Sequence, residues 1–147
     1  MTLWIKKFSL KQLNAWSQNT LISHLKIRFT EIGPDFLAAT LPFHQITSQP
    51  MGILHGGASC VLMETVSTAA AFLAAPENKT CVGLELNINH LKKVTGGIVE
   101  AIATPLHVGR STQVWEARLY NQKTLIAAGR LTVAVLEMAN VDEQKIP

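Results

Sequence analysis

The sequence predicts an α+β fold in which a curved antiparallel sheet wraps around one long central helix. Residues 56–75 are largely apolar and carry one charged side chain, Glu64. Strand-like segments joined by short turns follow this stretch in series, and strands connected in this way pair antiparallel. A helix that is apolar on nearly every side must be covered on nearly every side. A curved sheet with one face on the helix meets that requirement.

The segment before the long helix predicts a short helix and a β-hairpin. Ser9 and Gln12 have the spacing of a capping box, and apolar residues then recur at helical spacing over residues 10–16. From residue 24 apolar and polar residues alternate, which predicts a half-buried strand. Turn residues at 33–35 and a second strand over 36–42 complete the hairpin, and residues 44–51 form a polar loop.

The segment after the long helix predicts the rest of the sheet. Pro76 ends the helix, and alternation predicts strands over 80–90, 98–104, 112–120 and 125–136. Residues 105–111 interrupt the series as a bulge or kink, and residues 137–147 are expected to fray. At 147 residues, without internal repeats, the chain is expected to be one domain over 1–147.

Composition excludes several classes of protein. The chain is 48% hydrophobic and 16% charged, too apolar for disorder and too poor in charge for a coiled coil. Its net charge is +3 and its basic residues are scattered, so no nucleic-acid partner is expected. The mild positive excess suits a small anionic ligand.

The cysteines and the N-terminus predict a cytoplasmic protein. Cys60 and Cys81 have the spacing of neither a disulfide framework nor a metal motif, which favours buried thiols in a reducing compartment. The N-terminus lacks the apolar core of a secretory signal. Residues 56–75 are long enough to span a membrane, but most are Ala, Ser, Thr or Gly, and Glu64 lies near the middle. We therefore expect a buried core helix and no membrane partner.

Glu64 is the outstanding candidate for chemistry. A buried carboxylate is costly unless it is paired, so Glu64 either meets a basic residue across an interface or acts as a general base or nucleophile. The second interpretation is favoured because perturbed acids cluster at active sites. Thr68 lies one turn further on the same face. Its hydroxyl is expected either to donate to Glu64 or water, or to bond back to a helical carbonyl.

His55-Gly56-Gly57 lies where the polar loop meets the long helix. The first helical turn presents unpaired N–H donors and a partial positive charge, which would polarise a carbonyl oxygen as it becomes an oxyanion. A tight loop-to-helix joint explains the glycines equally well. Gly57 and Glu64 are two turns apart, about 10 Å along the axis, so donor and acid in a dimer could come from different chains. No Gly-x-Ser-x-Gly elbow follows, which excludes a lipase-type site.

Other polar residues give weaker signals. Gln49 and His90 indicate no role by themselves, and no histidine pair has metal-ligand spacing, so no metal is expected. One loop combines groups that can hold a phosphate and is equally compatible with a surface bulge: His107, Val108, Gly109, Arg110, Ser111 and Thr112.

The loop-to-helix motif, together with Glu64 and Thr68, resembles the hotdog-fold acyl-CoA thioesterases of the phenylacetate-pathway and 4-hydroxybenzoyl-CoA type. Within that family it resembles more narrowly the bacterial 1,4-dihydroxy-2-naphthoyl-CoA thioesterases and their enterobactin-proofreading paralogues. The match covers nearly the whole chain. The residues that carry it are Gln49-Pro50-Met51-Gly52-Ile53-Leu54-His55-Gly56-Gly57-Ala58-Ser59, Leu13-Asn14-Ala15, Gly83-Leu84-Glu85-Leu86-Asn87, His90 and Pro105-Leu106-His107-Val108-Gly109-Arg110.

The resemblance implies a hotdog homodimer with two sites at the subunit interface, usually paired into a dimer of dimers. It implies that Glu64 is the catalytic nucleophile or general base and that the Gly56 N–H polarises the thioester carbonyl. Gln49 and His55 would position that carbonyl and the water or leaving group, and Thr68 would orient water or the acyl intermediate. No cofactor is implied, because CoA is part of the substrate.

The resemblance also implies where CoA binds. Gly83 would lie along the pantetheine channel, and the CoA arm would contact His90, Lys92 and the loop formed by His107, Val108, Gly109, Arg110, Ser111 and Thr112. An aromatic acyl group fits the resemblance best, while a medium-chain acyl group and a carrier-protein thioester stay open. Met51 stands where many relatives have phenylalanine, which leaves the acyl pocket undefined.

Three alternatives belong to other functional classes. Hotdog dehydratases and hydratases usually place a histidine with an acid on the helix, whereas His55 precedes it. A non-catalytic acyl-CoA-binding module would not need Glu64. An interaction protein would explain open sheet edges, but it would not explain a carboxylate in an apolar helix.

Overall fold

In the computed structural model, residues 2–138 form a single six-stranded antiparallel sheet together with three α-helices and one 3-10 helix. The helices are α1 (Leu10–Trp16), α2 (Leu21–His24) and α3 (Gly56–Ala74), and the 3-10 helix is Gln45–Thr47. The strands are β1 (Arg28–Ile32), β2 (Leu37–Pro42), β3 (Lys79–His90), β4 (Ile98–Val108), β5 (Thr112–Asn121) and β6 (Thr124–Glu137).

The sheet surrounds α3, as the sequence predicts. The strand order is β1-β2-β4-β5-β6-β3, and α3 packs against strands β2 to β6. Leu62, Met63 and Val66 of the helix are fully buried, as are Trp115 and Leu131 of the sheet. The predicted α+β fold with one long central helix is confirmed.

Both ends of α3 are fixed by side chains. At the N-terminus, Nδ1 of His55 accepts a hydrogen bond from the Gly57 N–H at 2.8 Å. At the C-terminus, the buried Lys6 ammonium donates to the carbonyls of Ala75 at 2.9 Å and Pro76 at 2.6 Å, where the helix dipole favours a cation. Burial lowers the pKa of Lys6, and the nearby Cys81 and Glu77 partly offset this shift.

Helix α3 is also the one helix within residues 2–138 whose length and hydropathy would suit a membrane span. Most of that helix is buried inside the protein. Its apolar character is therefore accounted for by the sheet that covers it, as expected for a core helix.

The structure corrects two local predictions. The first strand begins at Arg28 rather than at residue 24, because residues Leu21–His24 form helix α2 behind a Thr20 cap. The loop over 44–51 contains the 3-10 helix Gln45–Thr47, in which the His44 side chain caps the N-terminus. A helix of one turn has too few residues to show a helical period, so neither element was predicted.

The interruption predicted at residues 105–111 is a bulge. Strand β4 continues to Val108, but its register against β5 shifts between Pro105 and His107. Pairing with β2 ends at Ala103, so Pro105 lies where its missing N–H costs no ladder hydrogen bond on that side. Of the segment predicted to fray, Glu137 instead ends strand β6 and pairs with Lys79 of β3, and residues 139–147 lie outside the described part of the chain.

The two edges of the sheet differ. At the β1 edge, the Asn14 amide donates to the Phe29 carbonyl and its oxygen accepts from the Phe29 N–H, both at 2.9 Å. This side chain satisfies both backbone groups of Phe29 in β1. Strand β3 has a neighbouring strand on one side only, β6, and its Val82 and Leu84 side chains are exposed. An uncovered edge of this length is a template for pairing with another chain.

Candidate active site

Glu64 lies half-buried in the middle of α3 and lines a cavity of about 530 Å³. Thr68, one turn further along the helix, lines the same cavity, as does Gly83 of β3. The volume falls within the roughly 300–1,000 Å³ typical of small-molecule sites. The predicted placement of Glu64 and Thr68 on one face is confirmed, and of the lining residues within 2–138 Glu64 alone is charged.

Gly83 is required by the position of the Glu64 carboxylate. A Cβ atom at Gly83 would overlap Oε1 of Glu64, so the carboxylate lies directly against the strand backbone. The register of β3 against β6 shifts between Gly83 and Glu85, which leaves Leu84 as the extra residue of a bulge. Bulges occur preferentially next to active sites, where they redirect the chain.

The Thr68 hydroxyl is buried and has no hydrogen-bond partner among the described residues. The structure therefore shows no back-bond from this hydroxyl to a helical carbonyl. A buried hydroxyl without a partner costs about 1–3 kcal/mol. Thr68 lines the cavity, so rotation about its Cα–Cβ bond would be needed to turn the hydroxyl toward a bound water or substrate.

Cys60 lies one helical turn before Glu64, and the charge of Glu64 affects the pKa of its thiol. Burial raises the pKa of the Cys60 thiol, and the negative charge of Glu64 raises it further. This thiol is therefore a poor nucleophile at neutral pH, since the thiolate is the reactive form.

A second cavity, of about 330 Å³, lies at the N-terminus of α3. Gln49, Gly56, His90 and Lys92 line it, together with Lys93. A Cβ atom at Gly56 would lie 3.0 Å from Nε2 of His90, so the imidazole ring packs closely against the glycine. No carboxylate is among the residues that line this cleft.

The Gly56 N–H is an unpaired donor. In the first turn of α3, the N–H of Gly57 donates to His55 Nδ1, and those of Ala58 and Ser59 donate to the His55 carbonyl. The Gly56 N–H has no acceptor within residues 2–138. Of these donors it is the one left free for a ligand, at the positive end of the helix dipole.

The chain by itself does not bring all predicted site residues together. Gly56 and Glu64 are eight residues apart, about 12 Å along the helix axis, and they line different cavities. His55 is exposed, and its Nδ1 atom already accepts from Gly57. A third group lies at the end of β4, in the β4–β5 turn and at the start of β5, mostly exposed and outside both cavities: His107, Val108, Gly109, Arg110, Ser111 and Thr112.

Sequence reasoning missed the aromatic wall of the Glu64 cavity. The helical spacing of Leu10, Leu13 and Trp16 predicts one packing face, but only Leu13 is buried, while Trp16 is 58% exposed and lines the cavity. Phe72 faces the same space from α3. The apolar spacing was visible in the sequence, but the cavity between these elements was not.

Comparison with known proteins identifies relatives of the whole chain. The profile of the thioesterase superfamily matches residues 51–128. The 1,4-dihydroxy-2-naphthoyl-CoA hydrolase of Escherichia coli is 41% identical over 135 residues, which cover 91% of this chain and 99% of that protein. The proofreading thioesterase EntH of Cronobacter turicensis is 39% identical over 135 residues, covering 91% and 98%.

Solved structures agree with these sequence matches. A thioesterase from Haemophilus influenzae superposes with a TM-score of 0.92 at 41% identity, covering 96% of this chain and 99% of that one. A mutant thioesterase from Pseudomonas aeruginosa superposes with a TM-score of 0.90 at 40% identity, covering 93% and 100%.

Proposed function

The chain belongs to the thioesterase superfamily, and from that premise we propose that it hydrolyses an aromatic acyl-CoA, such as 1,4-dihydroxy-2-naphthoyl-CoA, to the free acid and CoA. The observation that carries the proposal is the half-buried Glu64 carboxylate, which lies against Gly83 beside the unpaired Thr68 hydroxyl in an otherwise uncharged cavity. The names of the relatives from E. coli and C. turicensis support thioester hydrolysis.

We propose that the complete site forms between two copies of the chain. Glu64 offers an acid in a cavity that does not include the free Gly56 N–H, whereas Gly56 offers that N–H in a cleft with no carboxylate among its described lining residues. Both cavities border β3, with Gly83 toward one end of the strand and His90 at the other. Antiparallel pairing of two uncovered β3 edges exchanges these ends, so Glu64 of one subunit would approach Gly56 of the partner subunit.

In this arrangement the thioester carbonyl oxygen accepts a hydrogen bond from the Gly56 N–H. The helix dipole reinforces this donor, and removing one such donor from an enzyme typically costs about 3 kcal/mol of barrier. Gln49 lies in the same cleft, where its side-chain oxygen accepts from the Met51 N–H. That contact leaves the Gln49 amide NH₂ to position the carbonyl, and His55 holds the first turn of α3 through Gly57.

Glu64 supplies the chemical step in one of two ways. As a nucleophile, its carboxylate attacks the thioester carbon, the C–S bond breaks, and water then hydrolyses the mixed anhydride. As a general base, it takes a proton from a water whose oxygen attacks that carbon. In both cases CoA leaves as a thiolate and is protonated. The Thr68 hydroxyl would donate to the acyl intermediate or orient the water.

The CoA arm would extend along basic and flexible segments. Lys92 and Lys93 are exposed at the Gly56 cleft, and Arg110 is exposed in the β4–β5 turn. Guanidinium and ammonium groups are the usual partners of phosphate. We propose that the pantetheine passes Gly83 and His90.

Three further proposals concern the whole enzyme. Two dimers pair into a tetramer, and the enzyme works in the cytoplasm. No cofactor is needed besides the CoA of the substrate.

The test is CoA release, followed with a thiol reagent, from a panel of aromatic, medium-chain and short-chain acyl-CoAs. We expect fastest release from the aromatic members and a loss of about 10³-fold or more in the Glu64→Gln variant, because its amide neither attacks nor takes a proton. Glu100→Gln, which changes an exposed carboxylate on β4, is the matched control. Near-wild-type release by Glu64→Gln would contradict the assignment, as would binding of every panel member without release.

A further inference from the structure

The wall of the Glu64 cavity contributed by α1 and α3 is aromatic. The rings of Trp16 and Phe72 both line the cavity, with centroids 5.1 Å apart and an interplanar angle of 49°. Phe8 packs behind them, 6.1 Å from Trp16 and 5.7 Å from Phe72. These separations are those of favourable tilted and edge-to-face aromatic pairs.

Trp16 keeps most of its surface free. Its side chain is 58% exposed, whereas Trp4 and Trp115 are buried and stack on each other. The indole N–H groups of these two core tryptophans donate to Gly33 O and to Gln113 Oε1. The Trp16 N–H has no acceptor within residues 2–138. A large aromatic side chain with a free face and a free donor on a cavity wall is suited to bind a ligand.

The position of Trp16 is fixed in advance. Helix α1 begins with a complete capping box between Ser9 and Gln12, and Asn14 ties the helix to Phe29 of β1 by two hydrogen bonds of 2.9 Å. Leu13, three residues before Trp16 on the same face of the helix, is buried in the core. Since the wall is held by these contacts, little ordering cost remains when a ligand binds to it.

We propose that Trp16 is a specificity-determining residue whose indole stacks on a planar aryl group of the acyl substrate. This inference rests on the proposed thioesterase function and deepens it. An alkyl chain of similar volume would bury apolar surface in the same cavity, but it lacks the ring quadrupole that aromatic pairs exploit. The indole N–H can in addition donate to a hydroxyl or carboxylate substituent of the aryl ring. The chain would therefore favour aryl over alkyl thioesters through Trp16.

The test compares kcat/KM for a hydroxynaphthoyl-CoA and for octanoyl-CoA in wild type, Trp16→Leu and Trp16→Phe. We expect Trp16→Leu to lower the aryl-to-octanoyl ratio by about tenfold and Trp16→Phe by about threefold at most, because phenylalanine retains a stacking ring. Octanoyl-CoA turnover in the same preparations reports whether each variant is folded. Leu21→Ala is the control, since Leu21 is 57% exposed nearby and does not line the cavity.

A direct binding readout uses tryptophan fluorescence. A non-hydrolysable aryl thioether of CoA should quench the wild type and should quench Trp16→Phe much less, because the remaining tryptophans are buried. If the wild type is active but the aryl-to-octanoyl ratio is unchanged in Trp16→Leu, the proposal for Trp16 is wrong while the thioesterase function stands. If the wild type releases CoA from neither substrate, the proposed function fails and the inference fails with it.

Discussion

The two cavities along α3 share one helix but offer a substrate different chemical groups. The Glu64 cavity, in the middle of the helix, is apolar and aromatic and contains a single acid. The Gly56 cleft, at the N-terminus, contains a free backbone N–H, an amide and two lysines but no acid. Thioester hydrolysis needs both a base or nucleophile and an oxyanion donor. This difference is the reason we propose that a single chain holds two incomplete halves of the site, and we expect activity to depend on the pairing of two copies.

A mixed-dimer experiment has the largest expected effect on this comparison. In the proposed dimer each site takes Glu64 from one subunit and Gly56 from the other. Every site of a Glu64→Gln homodimer therefore carries one change. The same holds for a Gly56→Ala homodimer, in which the new methyl group crowds His90. In a mixed dimer, one site carries both changes and the other carries none. Mixed dimers purified through two different tags should therefore recover about half of wild-type activity. CoA release per dimer is the measurement.

The parent variants, each carrying both tags in turn, are the controls for this experiment. Mixed dimers no more active than their parents would show that Glu64 and Gly56 act within one chain. A movement within one chain, instead of subunit pairing, would then have to bring the Glu64 carboxylate and the Gly56 N–H together.

Gly83→Ala tests how tightly the Glu64 cavity is built. The new Cβ would overlap the Glu64 carboxylate, so the carboxylate must move away from its position over β3. A misplacement of about 1 Å can cost on the order of 10²-fold in rate, and we expect a loss of that size in kcat. Gly96→Ala is the control, because a Cβ there meets nothing within 4 Å. Full activity in Gly83→Ala, with the same melting temperature as wild type, would contradict a fixed carboxylate.

The sequence predicted the acid half of this comparison better than its surroundings. Glu64 stood out because it is the single charge in an apolar helix, and Pro76 and the His55-Gly56-Gly57 motif marked that helix to within one residue of its observed end. The role of Gly83 came only from resemblance. That role, a place along the pantetheine channel, stays a prediction. The structure gives a separate reason for a glycine at this position, the Glu64 carboxylate lying over the strand. This contact depends on how β3 packs against α3, and such a tertiary contact leaves no local pattern.

Other parts were out of reach for similar reasons. Residues before Arg28 alternate like a strand, yet Leu21–His24 form a helical turn and Lys26 adopts a φ of 60°, which alternation alone does not predict. Trp16 and Phe72 are distant in sequence, but their ring centroids lie 5.1 Å apart. Helical spacing correctly placed the α1 helix, but it could not distinguish a core face from a cavity wall.

Thr68→Val tests a smaller contribution within the same cavity. The Thr68 hydroxyl is buried without a partner within residues 2–138, so replacing it with a methyl group removes a polar group that costs stability when nothing is bound. We expect an unchanged or higher melting temperature together with a kcat about tenfold lower, since the hydroxyl is lost from the acyl intermediate or water.

Ser67→Ala is the matched control for Thr68→Val. The Ser67 hydroxyl is also buried without a partner among the described residues, but Ser67 does not line the cavity. Its loss should leave kcat unchanged. Equal effects on kcat at both positions would mean that Thr68 acts only through packing of α3.

Alkylation of Cys60 gives the smallest expected effect and reports the charge of Glu64 directly. The negative charge of Glu64 adds to burial in raising the pKa of the Cys60 thiol, so the neutral side chain in Glu64→Gln should lower that pKa. At pH 8 a larger fraction of thiolate would then react, and iodoacetamide labelling of Cys60 should be about two- to fivefold faster. Peptide mass spectrometry separates Cys60 from the buried Cys81.

The control for this prediction is Glu100→Gln. The rate–pH profile for labelling of Cys60 should move to lower pH in Glu64→Gln but not in Glu100→Gln. Coincident profiles would mean that Glu64 carries no charge beside Cys60. An ionised Glu64 is what both proposed chemical routes require, because only the carboxylate attacks a thioester or accepts a proton from water.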